Sequence, residues 1–255
     1  MKIKILFLCT FCLLLSSCRA QRNETLEETL RPVMPVVKEG EEVIYHHAYA
    51  LVYDERHEQA LWVGYMLTRE RAKGECPRQG KFRHDPAVKS GSANKWDYSR
   101  SGYSRGHLAP AGDMKWDSLA MDESFFMSNM SPQLSAFNDG IWNRLENQVR
   151  VWARMYDTLY IFTGPVITAD DTTAIGIDVC ITVPSAFYKI IYSPARQQGI
   201  GFIVPHEASK APVETFAVSI DSVEAATGID FLHGIAEEEK IESSHCTHCW
   251  KFIKK

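Results

Sequence analysis

The sequence predicts an α+β fold on three observations. Two β-rich runs flank the polar DERHEQ between Val43 and Glu70, the pattern of a hairpin. Ile141, Trp142, Leu145, Val149 and Trp152 recur at three- and four-residue steps, which predicts an amphipathic helix over about 138–154. LYIFTGPVI, AFYKIIYS and GIGFIVPH then read as strands.

The 255 residues are 45% hydrophobic, enough to bury one sizeable core. The chain opens with Lys2 and Lys4, the apolar ILFLCTFCLLL and then SSC, the order of a secretory leader rather than a membrane span. Leu15-Ser16-Ser17-Cys18 resembles a bacterial lipobox, which makes Cys18 the expected lipidated N-terminus and the means of membrane attachment. Cleavage near Ala20 is the alternative, at a poorer small-x-small site. Either route places the mature chain outside the cytoplasm, as a periplasmic or cell-surface lipoprotein or as a secreted protein. The expected organisation is a signal peptide over 1–17, a charged tether over 18–42 and one domain over 43–255.

Residues 74–100 are rich in Gly, Pro, Ser and basic residues and are expected to form a long exposed loop. Between Arg69 and Arg105 ten Lys and Arg face four acids, a local balance of +6 in a chain of net charge −4. A polyanion would bind here, with Arg78 and Arg83 as expected phosphate contacts. Residues 115–137 mix short helix with irregular chain, and DSVEAATG reads as a helix capped by Asp221 and stopped by Gly228. Four cysteines follow the leader: Cys76, Cys180, Cys246 and Cys249. Two disulfides with three connectivities are open to them. The HCTHCW tail has metal-capable side chains, but four ligands in five residues surround one tetrahedral ion poorly, and disulfides are the expected use.

The chemistry centres on SGYSRGHLAPAGDM, Ser101 to Met114. His107 alone reads as a loop histidine, and Asn138, 31 residues later, as a helix N-cap. Together with FFMSNMSPQ and FNDGIWNRLE, however, this stretch resembles the DNA/RNA non-specific endonucleases, and the likeness runs from near Trp62 through TGP to VEAATGIDF. The resemblance implies a ββα-metal (His-Me finger) unit within the α+β domain, whose central, mostly antiparallel sheet would be flanked by helices. It implies His107 as the general base, Asn138 as the one direct protein ligand of Mg²⁺ (with Mn²⁺ as a substitute), Arg105 near the scissile phosphate, and Glu146 as the acid of the metal helix. Asn129, in SNMSPQ, is expected to face substrate or organise the site rather than bind the ion. DNA and RNA are the implied partners, cut with little sequence preference to leave 5′-phosphates; members are often dimers, although no surface legible here predicts a homodimer.

These roles suit the chemistry. Attack of water on an anionic phosphodiester needs a base, a cation and compensating charge, and His accepts a proton near neutrality. A neutral amide suits hydrated Mg²⁺. Glu146 follows Asn138 by eight residues, about 12 Å along a straight α-helix, which favours an indirect role, through a water or by holding Arg105. The family pattern has Asp before Arg-Gly-His where this chain has Ser104. That departure motivates a second reading, a nucleic-acid-binding lipoprotein with an impaired site; a zinc module at the Cys/His tail is a third.

Overall fold

The computed structural model describes residues 25–253; the leader and Cys18 lie outside them. In chain order the strands are β1 (Val43–Tyr45), β2 (Tyr49–Asp54), β3 (Gln59–Thr68), β4 (Ser104–His107), β5 (Met130–Gln133), β6 (Thr158–Val166), β7 (Ala174–Ile175), β8 (Ile181–Thr182), β9 (Ala186–Ser193), β10 (Gln198–Pro205) and β11 (Ala217–Val218). The α-helices are α1 (Leu26–Leu30), α2 (Ser118–Glu123), the single turn α3 (Ser135–Phe137), α4 (Asn143–Tyr156), α5 (Ile220–Thr227) and α6 (Glu238–Glu242). Seven strands build one sheet in the order β1-β2-β3-β6-β9-β10-β11. Every pairing in it is antiparallel.

Both faces of the sheet are covered, which is why its central strands read as continuous apolar runs. On one face Ile141, Leu145, Val149 and Trp152 pack against Leu51, Val63, Ile161, Phe187 and Phe202, all fully buried. The helical period of the sequence is therefore the stripe that α4 lays on the sheet. On the other face Ile220, Val223 and Ile241 meet Trp62, Phe162, Tyr188 and Ile190.

Several expectations need correction. Part of the segment read as a tether is folded: Thr25 and Glu28 form a capping box on α1, and Leu30 and Val33 are buried in the second core. The 74–100 segment is mostly irregular, as read, but it is not simply exposed. Val88, Ala93 and Tyr98 are buried. Asp85 accepts hydrogen bonds from Ser128 Oγ (2.5 Å) and the Ala87 amide, and contacts His46 Nε2 at 2.8 Å. Asp97 accepts from the amides of Asn94, Ile177 and Asp178. Buried carboxylates with that many donors fix a loop in place. Ser219, not Asp221, caps α5 by accepting from the Ser222 amide, while Gly228 ends it at φ 67° as expected. One disulfide joins Cys246 to Cys249, and Cys76 and Cys180 are free thiols.

Candidate active site

β4 pairs with β5 in register from Ser104↔Gln133 to His107↔Met130. Strand alternation sends Arg105 and His107 to one side and Ser104 and Gly106 to the other. A side chain at Gly106 would displace the buried Gln133, since an added Cβ would lie 2.2 Å from its carboxamide carbon. The Ser104 and Ser135 hydroxyls are 2.8 Å apart, tying β4 to the first residue of α3. From β5 the chain passes through Leu134 and α3 into a π turn, Asn138–Trp142, and then α4. Two strands and a helix thus form a continuous ββα unit.

His107 sits at the end of β4 with its ring edge-on to Phe125, centroids 5.0 Å apart, and 5.9 Å from Phe82. Burial, followed by the Arg78 charge, pushes its pKa down to about 3. The imidazole is therefore neutral at neutral pH, and its buried Nε2 has no hydrogen-bond partner. The loop behind it is fixed by Asn129, whose Oδ1 accepts from the Ala109 amide and whose Nδ2 donates to the carbonyls of Ala109 and Ser124. Asn129 is fully buried and has both amide hydrogens engaged, which corrects its reading as a substrate contact and leaves it the organising role.

Asn138 does not cap the helix. It has helical dihedrals, φ −57° and ψ −53°, one residue past α3, and Gly140 departs from helix at ψ −110°. Such π turns in helices mark functional sites more often than chance. The straight-helix spacing between Asn138 and Glu146 is therefore wrong. The half-buried Asn138 carboxamide makes no side-chain hydrogen bond among the described residues, so its neutral oxygen is open to a hard divalent ion, whose preference is for oxygen. The turn is held by His206, which the sequence reading overlooked. Its Nε2 accepts from the Leu134 amide at 2.7 Å and its Nδ1 donates to the Pro184 carbonyl at 2.8 Å. Only a neutral ring can do both, and burial lowers its pKa accordingly.

Glu146 anchors a charge cluster on α4. Loss of solvation raises its pKa, against the pull of Lys189, Arg150 and Arg78. Lys189 is fully buried in β9, donates to Thr163 Oγ1 at 3.0 Å and lies 4.7 Å from the Trp142 ring. Burial lowers its pKa and Glu146 counteracts this. Arg150, one turn after Glu146, donates to Asp113 Oδ1 at 2.6 Å, and Tyr65 donates to Asp113 Oδ2 at 2.7 Å. Arg105 is not part of this set: it donates to the Lys95 carbonyl at 2.9 Å and stacks 4.6 Å over Phe82. The expectation that Glu146 holds Arg105 is thereby corrected. Asp113, Arg150 and Lys189 were missed, although a lone Lys inside the apolar AFYKIIYS was a visible signal.

The basic segment divides. Arg78 lies 5.3 Å from the Phe125 ring, and its charge reaches both His107 and Glu146. Arg83 instead clamps Asp122, 2.7 Å to Oδ2, over the Phe126 ring. That pairing corrects its reading as a free phosphate contact. Beside His107 a groove is lined by Lys81, Phe82, Lys95, Trp96, Arg100 and Arg105, and Trp96 is 63% exposed in it.

This arrangement is that of a ββα-metal nuclease. A family model described as DNA/RNA non-specific endonuclease matches residues 28–238, and the chain belongs to that family. It is 35% identical over 203 residues to the mitochondrial Endonuclease G of Homo sapiens, covering 74% of this chain and 68% of that protein. It is 36% identical over 201 residues to Nuclease C1 of Cunninghamella echinulata var. echinulata, covering 72% and 80%. A crystal structure of an EndoG/EndoGI complex superposes with a TM-score of 0.74 at 31% identity, over 83% of this chain and 93% of that one. Membership makes the protein a nuclease acting on nucleic acid, and the fold family implies a divalent metal ion.

The comparisons also correct the localisation read from the leader. The relatives whose names give a compartment are mitochondrial, which overturns the extracytoplasmic, lipid-anchored placement. Among the described residues no helix is long and apolar enough to cross a membrane.

Proposed function

We propose that the protein is a Mg²⁺-dependent endonuclease that hydrolyses phosphodiester bonds of DNA and RNA with little sequence preference, leaving 5′-phosphate and 3′-hydroxyl ends. The observation that carries this reading is the pairing, in one ββα unit, of a neutral His107 and an Asn138 side-chain carboxamide, the His107 Nε2 and that carboxamide having no hydrogen-bond partner among the described residues.

His107 takes a proton from the attacking water. Its low pKa in the free chain keeps it ready to accept, and a phosphate anion beside it raises its basicity during reaction. Arg78 and Arg105 carry the charge that holds the scissile phosphate in place. Asn138 would hold the ion through its amide oxygen, with water and phosphate oxygens completing the shell. A bound Mg²⁺ supplies charge stabilisation at the leaving 3′-oxygen. Glu146, Lys189, Arg150 and Asp113 position the metal helix against the sheet. Lys81, Lys95 and Arg100 hold the backbone along the groove while the exposed Trp96 offers a stacking surface to any base. Phosphate contact and stacking carry no sequence information, which supports the nonspecific reading.

Incubation with plasmid DNA and with RNA, in Mg²⁺ or in EDTA, tests this, with end-group analysis of the products. His107→Ala should lose about 10²–10⁴-fold in cleavage while retaining binding. Unchanged cleavage by that variant would sink the general-base assignment. Absence of Mg²⁺-dependent cutting by folded wild type would instead favour the impaired binding protein that Ser104 suggests.

A further inference from the structure

The sheet face opposite the ββα unit carries a second cluster of carboxylates. α5 and α6 approach β10 closely because two of its residues are glycines. A Cβ at Gly199 would lie 2.6 Å from Ile220 Cδ1 and 3.0 Å from Ile241 Cγ2, and one at Gly201 would lie 2.9 Å from the Ser219 carbonyl. This packing brings Asp221 and Glu224 on α5 to Glu242 on α6, with one carboxylate oxygen of each within 4.8 Å of the others. Glu242 is 6% exposed, and its Oε1 has no hydrogen-bond partner. Glu224 uses one oxygen to accept the Phe231 amide at 2.7 Å, which leaves its second oxygen. Asp221 is exposed and opens the cluster to solvent.

No cation appears among the charges that act most strongly on Glu242. After burial these are Glu224, Glu238, Asp221 and Asp230. A buried carboxylate among acids is stable only when protonated or when a cation joins it.

We propose that Asp221, Glu224 and Glu242 bind a divalent cation of the Ca²⁺ type that staples α5 to α6, separate from the ion expected at Asn138. The donors are all oxygen, which suits a hard cation. Ca²⁺ holds oxygens at about 2.3–2.6 Å, so any two of its ligands stand no more than about 4.6–5.2 Å apart, a limit that carboxylate oxygens within 4.8 Å of one another can meet. Asp221 provides the route from solvent, and water completes the shell. The site has no part in the proposed hydrolysis.

The test uses chelator-treated full-length protein carrying Asn138→Ala, so that an ion at the ββα unit does not contribute. Calorimetric titration with CaCl₂ should find one ion per chain. A hundredfold excess over Kd should raise the melting temperature by about 5–10 °C. Adding Glu242→Gln should abolish both responses, and adding Asp221→Asn, an exposed change that leaves the core alone, should weaken them at least tenfold. In chelator Glu242→Gln should melt higher than its parent, which separates loss of the ion from misfolding. No bound Ca²⁺ in the Asn138→Ala protein, or an equal Ca²⁺ response in all three variants, would overturn the proposal.

Discussion

Two glutamates, one on each side of the sheet, are both raised in pKa by desolvation and answer it differently. Glu146, on α4, faces Lys189, Arg150 and Arg78, and Arg150 also donates to Asp113. Glu242, on α6, faces Glu224, Glu238, Asp221 and Asp230. The first cluster contains its own counter-charges, supplied by a strand, a loop and the helix itself. The second consists of acids and is incomplete from the protein's residues alone. Burial by itself raises a carboxylate pKa in both places; what differs is whether the chain brings a cation to the same spot.

The largest effect expected from breaking this contrast is at Lys189. Lys189→Met should remove one counter-charge of Glu146, leave Arg150 and Arg78, and destabilise the fold by about 1–3 kcal/mol, read as a lower urea midpoint. Adding Glu146→Gln should recover part of the loss, with a coupling of about 0.5–3 kcal/mol; strictly additive losses would show that the two side chains do not interact.

On the other face Glu242→Gln should stabilise, and the gain should depend on pH. The folded-state pKa of Glu242 lies at about 8, above its ordinary value of 4.5. The folded chain thus holds a proton that the unfolded chain has lost, and without divalent ions stability falls as pH rises from about 4.5 to 8. The advantage of Glu242→Gln in chelator should be small at pH 5 and grow toward pH 8. A pH-independent difference would remove Glu242 as its source.

The smallest change is expected at Ser104. Its hydroxyl points to Ser135, on the side of β4 away from His107 and Arg105. Ser104→Asp should therefore alter the cleavage rate by less than about tenfold, since the candidate base and metal ligand stay in place. A far larger change would show that this position governs the site electrically and not through the Ser135 contact.

Much of the fold was legible because burial leaves a periodic trace. Ile141, Trp142, Leu145, Val149 and Trp152 are all fully buried against the sheet, as their spacing predicted, and the hairpin around DERHEQ forms as β2 and β3. Local composition was less reliable where a segment's partner is distant. β5 went unread because MSPQ has no strand pattern and exists by pairing with Ser104–His107. The 18–42 segment looked like a charged tether because few apolar residues, Leu30 and Val33 with Leu26 and Met34 beside them, do the docking. Of the candidate site, SRGH and Asn138 stood out in sequence. Asn129, Arg83 and Glu146 were seen, but their hydrogen-bond and charge partners were not.

The sequence by itself determined the α+β class, the amphipathic helix and the SRGH and Asn138 motifs whose family resemblance implied a ββα unit. Those are local properties, written in period and order along the chain. Only the tertiary structure decided that Lys189 answers Glu146, that Arg83 is paired with Asp122 while Arg78 reaches His107, and that Glu242 meets Asp221 and Glu224 without a cation. Charge pairing depends on strand register and helix docking, and the distances these set between remote residues have no counterpart in local sequence.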